Sequence, residues 1–281
     1  VSKTLKLTLD LLVGAAAPVL ILKYGTAPLG TLQAYLVAAL VPVAWVLLDL
    51  LVLTRRFNFI SSYSGFSAVM RGALAFWYVD GLLFALKDTA SYLLAVLVFG
   101  VSAFLARPVT RGIALQGLAP DTPERAAQMD RLLDEPPVRR ALRTAALVIG
   151  GTNLLAGVAN FAINWAMVTA PFNTPAFNDQ VANVNAITRV VLVLPDLLAL
   201  FWAFSLMYKA MYAQLPADGA TDPDAGEFWR LLARREDALA LVRAGEQAEA
   251  EAASVAAVGG LAAHAVESLA ARQAREEFGL T

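Results

Sequence analysis

The chain has 281 residues, of which 58% are hydrophobic and 16% charged, with a mean hydropathy of +0.60 and a formal net charge of −1. A soluble domain is nearer ~45–50% apolar and ~25% charged, so a larger core does not account for the excess, and near-neutrality gives no overall pull toward nucleic acid. The absence of cysteine excludes disulfides, thiolate nucleophiles and cysteine metal sites.

The apolar residues come in blocks of about twenty, the length that crosses a ~30 Å hydrocarbon layer at ~1.5 Å per residue. The pattern predicts six membrane spans, at 5–24, 29–53, 57–79, 82–106, 144–168 and 187–212. The fold class expected is therefore all-α: a polytopic six-helix bundle over 1–212, with a connecting loop at 107–143 and a soluble helical tail at 213–281. The first block is long and lacks an A-x-A cleavage site of the usual kind, so a span is expected there, not a cleaved signal. Gly25 to Pro28 reads as the tight turn between spans 1 and 2. Span 3 is the least apolar, with Ser61, Ser62, Ser64, Ser67 and Arg71 inside it.

The connection between spans 4 and 5 carries a short amphipathic helix at about 122–133. Pro123 suits its first turn, and Met129, Leu132 and Leu133 share one face. That face suits either the membrane surface or a protein partner. The stretch TAPFNTPAFNDQ, 169–180, reads as a loop with its aromatics near the lipid headgroups. In the tail, DGATDPD is a linker and Glu227 to Arg243 a polar helix. A second, alanine-rich helix is expected at about 246–277, too polar for a seventh span because His264 and Glu267 would face lipid.

Lys3, Lys6, Arg55, Arg56, the seven arginines from Arg107 to Arg143, and Lys209 fall on one side of alternating spans. The other side holds Lys23, Lys87 and Arg189. The basic side is expected to be cytoplasmic, with both termini on it.

Catalytic motifs are missing: no H-E-x-x-H, G-x-S-x-G, Walker A or G-x-G-x-x-G. The single histidine, His264, lies in the tail. Asn178 and Asp179 lack the second acid that a Mg-diphosphate site needs. No enzyme activity, cofactor or metal is expected.

Charges inside spans are costly, about 2.5–3.5 kcal/mol each on insertion scales, so they mark interiors, interfaces or water cavities. Asp10 and Asp49 sit in the same string, LDLLV at 9–13 and 48–52, with Arg55 and Arg56 nearby. They read as an interfacial ion-pair cluster or as an anion or proton site. Asp80, Lys87 and Asp88 form a similar group at the other end. Arg71 and Asp196 are expected at matching depths, roughly 12 Å below the boundary, and within pairing reach. In span 5, Gly150, Asn153, Gly157, Asn160 and Asn164 recur at spacings of three and four, which puts three amides and two glycines on one face. That stripe suits close helix packing or a polar lining for a solute.

The strings LTLDLL, PVLILKYG (18–25), RRFNFIS (55–61), FALKD (84–88) and LARPVTR (105–111) resemble bacterial multi-span proteins related to intracellular septation protein A, over about 5–212. The chain departs in placing Arg71 mid-span and Asp88 where that family often has Glu. The resemblance implies an inner-membrane protein tied to envelope or cell-division upkeep. The expected function is a non-enzymatic scaffold or accessory factor, contacting lipid and a protein partner or second copy through the tail. The alternative is a small-solute or ion transporter using the buried polar residues of spans 3, 5 and 6.

The cysteine-free chain makes the topology directly testable. A cysteine placed at Asn173 should react with an impermeant maleimide in intact cells, and one at Ala126 should not. The reverse pattern would falsify the orientation.

Overall fold

The computed structural model describes residues 8–10, 12–54, 59–216 and 225–259, and all regular structure among them is helical. In chain order the helices are α1 (Ala17–Leu29, preceded by a π-helical segment Leu12–Ala16), α2 (Thr31–Leu48, continued by a π segment Asp49–Thr54), α3 (Phe59–Ala75) and α4 (Gly81–Ala95, continued by Val96–Val101). Then come α5 (Val109–Leu118), α6 (Pro123–Asp134), α7 (Pro136–Met167), α8 (Pro175–Val191), α9 (Val193–Tyr212) and α10 (Ala225–Gly259). The chain is an all-helical membrane protein.

Among the described residues five helical stretches are long and apolar enough to cross a membrane: Thr8–Leu29, Thr31–Val52, Gly81–Val101, Pro136–Met167 and Pro175–Tyr212. The sixth expected span, α3, is a helix of 17 residues and is not among them. Its serines and Arg71 lower its apolarity, and 17 residues is the short limit for a crossing.

Three boundaries differ from the sequence expectation. Helix α1 runs through Gly25 to Leu29, with Pro28 inside it, and the turn falls at Gly30. There φ is +89°, a conformation that favours glycine. Helix α7 begins at Pro136 instead of 144 and has 32 residues, roughly 48 Å, longer than a bilayer core is thick. The loop after α7 is shorter than predicted. Thr174 accepts a bond from the Phe177 amide at 3.2 Å, and Pro175 occupies the first turn of α8. Helices α8 and α9 form one long stretch interrupted at Leu192. Pro195 has no N–H to give the carbonyl four residues back, which explains the interruption there.

The chain divides into two compact units. The first comprises Val1–Ile113 with Leu142–Ser205, the second Ala114–Ala141 with Leu206–Thr281. In the first unit α1 packs along α2 and α8, and α2 also packs on α3. Its core includes Leu22, Tyr35, Phe84, Val168, Phe177 and Val184. Outward residues such as Phe104, Leu155, Val190 and Phe201 are exposed, as lipid-facing residues should be in a membrane bundle.

In the second unit α6 packs against α10. Met129, Leu132 and Leu133 are fully buried, so the apolar face of α6 is covered by the chain itself. Two charge pairs tie the helices: Arg235 to Glu135 at 2.6 Å and Arg131 to Glu236 at 2.7 Å. The tail helix is one continuous 35-residue element over Ala225–Gly259, not two helices parted near 244. Gly245 costs a helix about 1 kcal/mol relative to alanine, too little to break it. The linker at 218–224 and His264 lie outside the described residues, as does the predicted helix beyond Gly259.

Gly150 shows how tightly the bundle closes. A Cβ built on it would lie 3.1 Å from the Gly100 nitrogen and 3.2 Å from its Cα, whereas one on Gly151 meets nothing within 4 Å. Gly150→Leu should therefore lower the melting temperature of the detergent-solubilised protein by several degrees, equivalent to about 1–3 kcal/mol of overpacking. Gly151→Ala should leave it unchanged or raise it. Equal melting of the two variants would contradict the close contact.

Candidate functional site

The span-5 stripe, now on α7, meets α4 in antiparallel register. At one end the Gly150 position abuts the Gly100 backbone. Further along, a Cβ on Gly157 would touch Tyr92 Cβ at 3.0 Å and Thr89 Cγ2 at 3.5 Å. The missing side chains bring the two helices close, and the amides then bond across the contact. Asn160 Nδ2 donates to Asp88 Oδ2 at 3.1 Å and to Thr89 Oγ1 at 3.3 Å. Asn164 Nδ2 donates to the same Asp88 Oδ2 at 3.0 Å and to the Asn160 carbonyl at 2.9 Å. A carboxylate only accepts, so both amides must turn their NH2 groups toward it. Thr89 in turn donates to the Ala85 carbonyl at 2.8 Å.

Asn160 and Asn164 are 3% and 1% exposed, which leaves almost no room for water at the amides. Asn153, the third member of the stripe, takes no part: it donates to the Ile149 carbonyl of its own helix at 2.9 Å. The spacing identified the face correctly, but only two of its three amides reach across.

Lys87 precedes Asp88 but makes no ion pair with it. Buried at 7% exposure, its ammonium donates to the Tyr35 hydroxyl at 2.9 Å and to the Trp77 carbonyl at 2.6 Å. It also lies 5.3 Å and 5.4 Å from the ring centres of Tyr35 and Phe84, where the π faces supply partial negative charge. Asp80, at the start of α4, accepts from the Phe172 amide at 2.9 Å. The expected group of Asp80, Lys87 and Asp88 is thus three separate anchorages.

The other charged residues separate as well. Arg71 is exposed and does not pair with Asp196, one of whose oxygens is buried without a partner among the described residues. Matching depth does not fix the angle around each helix axis, and that angle decides which side chains meet. Arg189, not singled out as a site by the sequence reading, donates to the Gly14 carbonyl in the π segment before α1. Asp10 accepts from Trp45 Nε1 at 2.7 Å, which binds the start of the chain to α2. Asp49 opens the π segment after α2. Arg55 and Arg56, the cations expected beside these acids, lie outside the described residues.

Among the described residues no group of three or more His, Cys, Asp or Glu side chains is placed to hold a metal ion. Comparison with protein-family models, curated proteins and solved structures gives no match.

The residue that sequence reasoning left outside the amide stripe is Asp88. The signal was present: a carboxylate in a span, with hydroxyl-bearing Thr89 beside it, needs donors from another span. Asn160→Leu removes donors from both Asp88 and Thr89 and should destabilise the protein by about 1–3 kcal/mol. Leu155→Val, at a position 73% exposed, should stay within roughly 0.5 kcal/mol. Thermal unfolding in detergent compares the two, and an equal effect would sink the proposed interlock.

Proposed function

We propose that this chain is a non-enzymatic scaffold or accessory factor of a bacterial inner membrane, multi-pass, with both termini cytoplasmic. Its membrane unit acts as an anchor, and its charged helical unit carries the contact for another protein. The observation that supports this most is the mismatch between α10 and its cover. At 35 residues α10 is roughly 52 Å long, while its partner α6, at 12 residues, is roughly 18 Å. Beyond Arg243 the helix is exposed at Ala244, at Glu246 to Ala248 and from Ala250 to Ser254. Across 244–254 it carries Glu246, Glu249 and Glu251 and no basic residue. A basic surface on a partner protein is the complementary chemistry.

Two further points support an anchor. The amides of α7 are bonded and nearly water-free, which suits a packed contact better than a conduit. The basic residues collect on one face of the expected topology, and the short strings resembling relatives of septation protein A agree with an envelope role. The transporter alternative needs a polar path along α7, and the packed amides do not favour one.

The reading predicts that replacing Glu249 and Glu251 with Gln leaves membrane insertion and thermal stability unchanged. It should also remove a protein that crosslinks to the wild-type chain through a photoreactive residue at position 250. An identical crosslinking pattern in the wild type and the double variant would reject α10 as the contact.

A further inference from the structure

Asp88, on α4, is held across the helix contact by two neutral amide donors, both from α7. Both amide bonds fall on Oδ2, and Oδ1 receives no hydrogen bond from the described residues. Asp88 is half-buried, so the carboxylate retains an accessible side, while the amides behind it are closed off. Amides orient a carboxylate but leave its full charge in place. Cations stand nearby without bonding to it: Lys87 is committed to Tyr35 and Trp77, and Arg189 to Gly14. Tyr35 from α2, Tyr92 from α4, Arg189 from α8 and Lys87 all feel its charge. None of them occupies Oδ1.

We propose that Asp88, oriented by Asn160 and Asn164, is the binding site of a small monovalent cation, a proton or Na+. The geometry has the parts this chemistry needs. One oxygen is pinned, the other is open, and the site lies within a helix that crosses the membrane, where an uncompensated charge is costly. A proton would form an O–H bond at Oδ1 and leave the amide bonds to Oδ2 in place. A sodium ion would coordinate Oδ1 and complete its shell with water on the open side. Either neutralises the carboxylate without disturbing the α4–α7 contact. This site is independent of the scaffold reading, because it lies in the membrane unit and makes no use of α10.

Infrared difference spectroscopy on the full chain in nanodiscs tests it in two arms, pH 8 minus pH 5 and Na+ minus K+. The expected result is a carboxylate or carboxylic-acid band in at least one arm that is lost in Asp88→Asn and retained in Asp80→Asn. A band in the pH arm alone identifies the proton, and one in the sodium arm identifies Na+. Asp88→Asn keeps the shape of the side chain, and its circular-dichroism melt reports whether it folds. If it does not fold, Asp88→Glu serves for assignment and should shift the band. The absence of any Asp88-dependent band in both arms would overturn the proposal.

Discussion

The membrane unit depends on one constraint: a carboxylate inside a spanning helix has to find hydrogen-bond donors that are not water. Helix α4 supplies the carboxylate at Asp88, and α7 supplies the donors at Asn160 and Asn164. The glycines at 150 and 157 let the backbones approach closely enough for the bonds to form. Lipid offers no hydrophobic gain from bringing two apolar helices together, so small residues and interhelical polar bonds must specify which surfaces meet.

The same logic recurs around the bundle with different chemistry. Lys87 is satisfied by a hydroxyl, a carbonyl and two ring faces. Asn178 of α8 donates to Thr26 Oγ1 and to the Thr31 carbonyl, joining α8 to the bend between α1 and α2. Arg189 reaches a carbonyl of the π segment before α1. In each case a polar side chain on one helix meets an acceptor on another, or a backbone group exposed at a helix end or π turn. The second unit follows water-side rules instead, with a buried apolar face and flanking salt bridges such as Arg235 to Glu135.

Much of this was legible in the sequence, because helix length and periodicity are local properties. The apolar blocks marked five of the six expected spans among the described residues, and the spacing of Gly150, Gly157, Asn160 and Asn164 put those residues on one face. Pro123 located the start of α6. What was not legible depends on partners far away along the chain. Arg71 and Asp196 were expected at matching depth, but depth leaves rotation open, and rotation is set by every other contact of each helix. Pro28 signalled a turn, yet it lies inside α1, and Gly30 with its positive φ makes the bend. The division of the tail into two helices failed because Gly245 is only a weak breaker and α10 continues through it.

The separation of Asp88 from its donors, 72 residues to Asn160 and 76 to Asn164, has a meaning for biosynthesis. Ribosomes add roughly 5–20 residues per second, so α4 is made about 4–15 seconds before its amides exist. During that interval Asp88 has no α7 to bond with and carries the full insertion cost of a lone acid, about 2.5–3.5 kcal/mol. The nascent helix must wait at the membrane edge, shelter beside the insertion machinery, or enter with its carboxyl protonated. The order in which α4 and α7 leave the ribosome makes assembly of this bundle a matter of timing as well as of affinity.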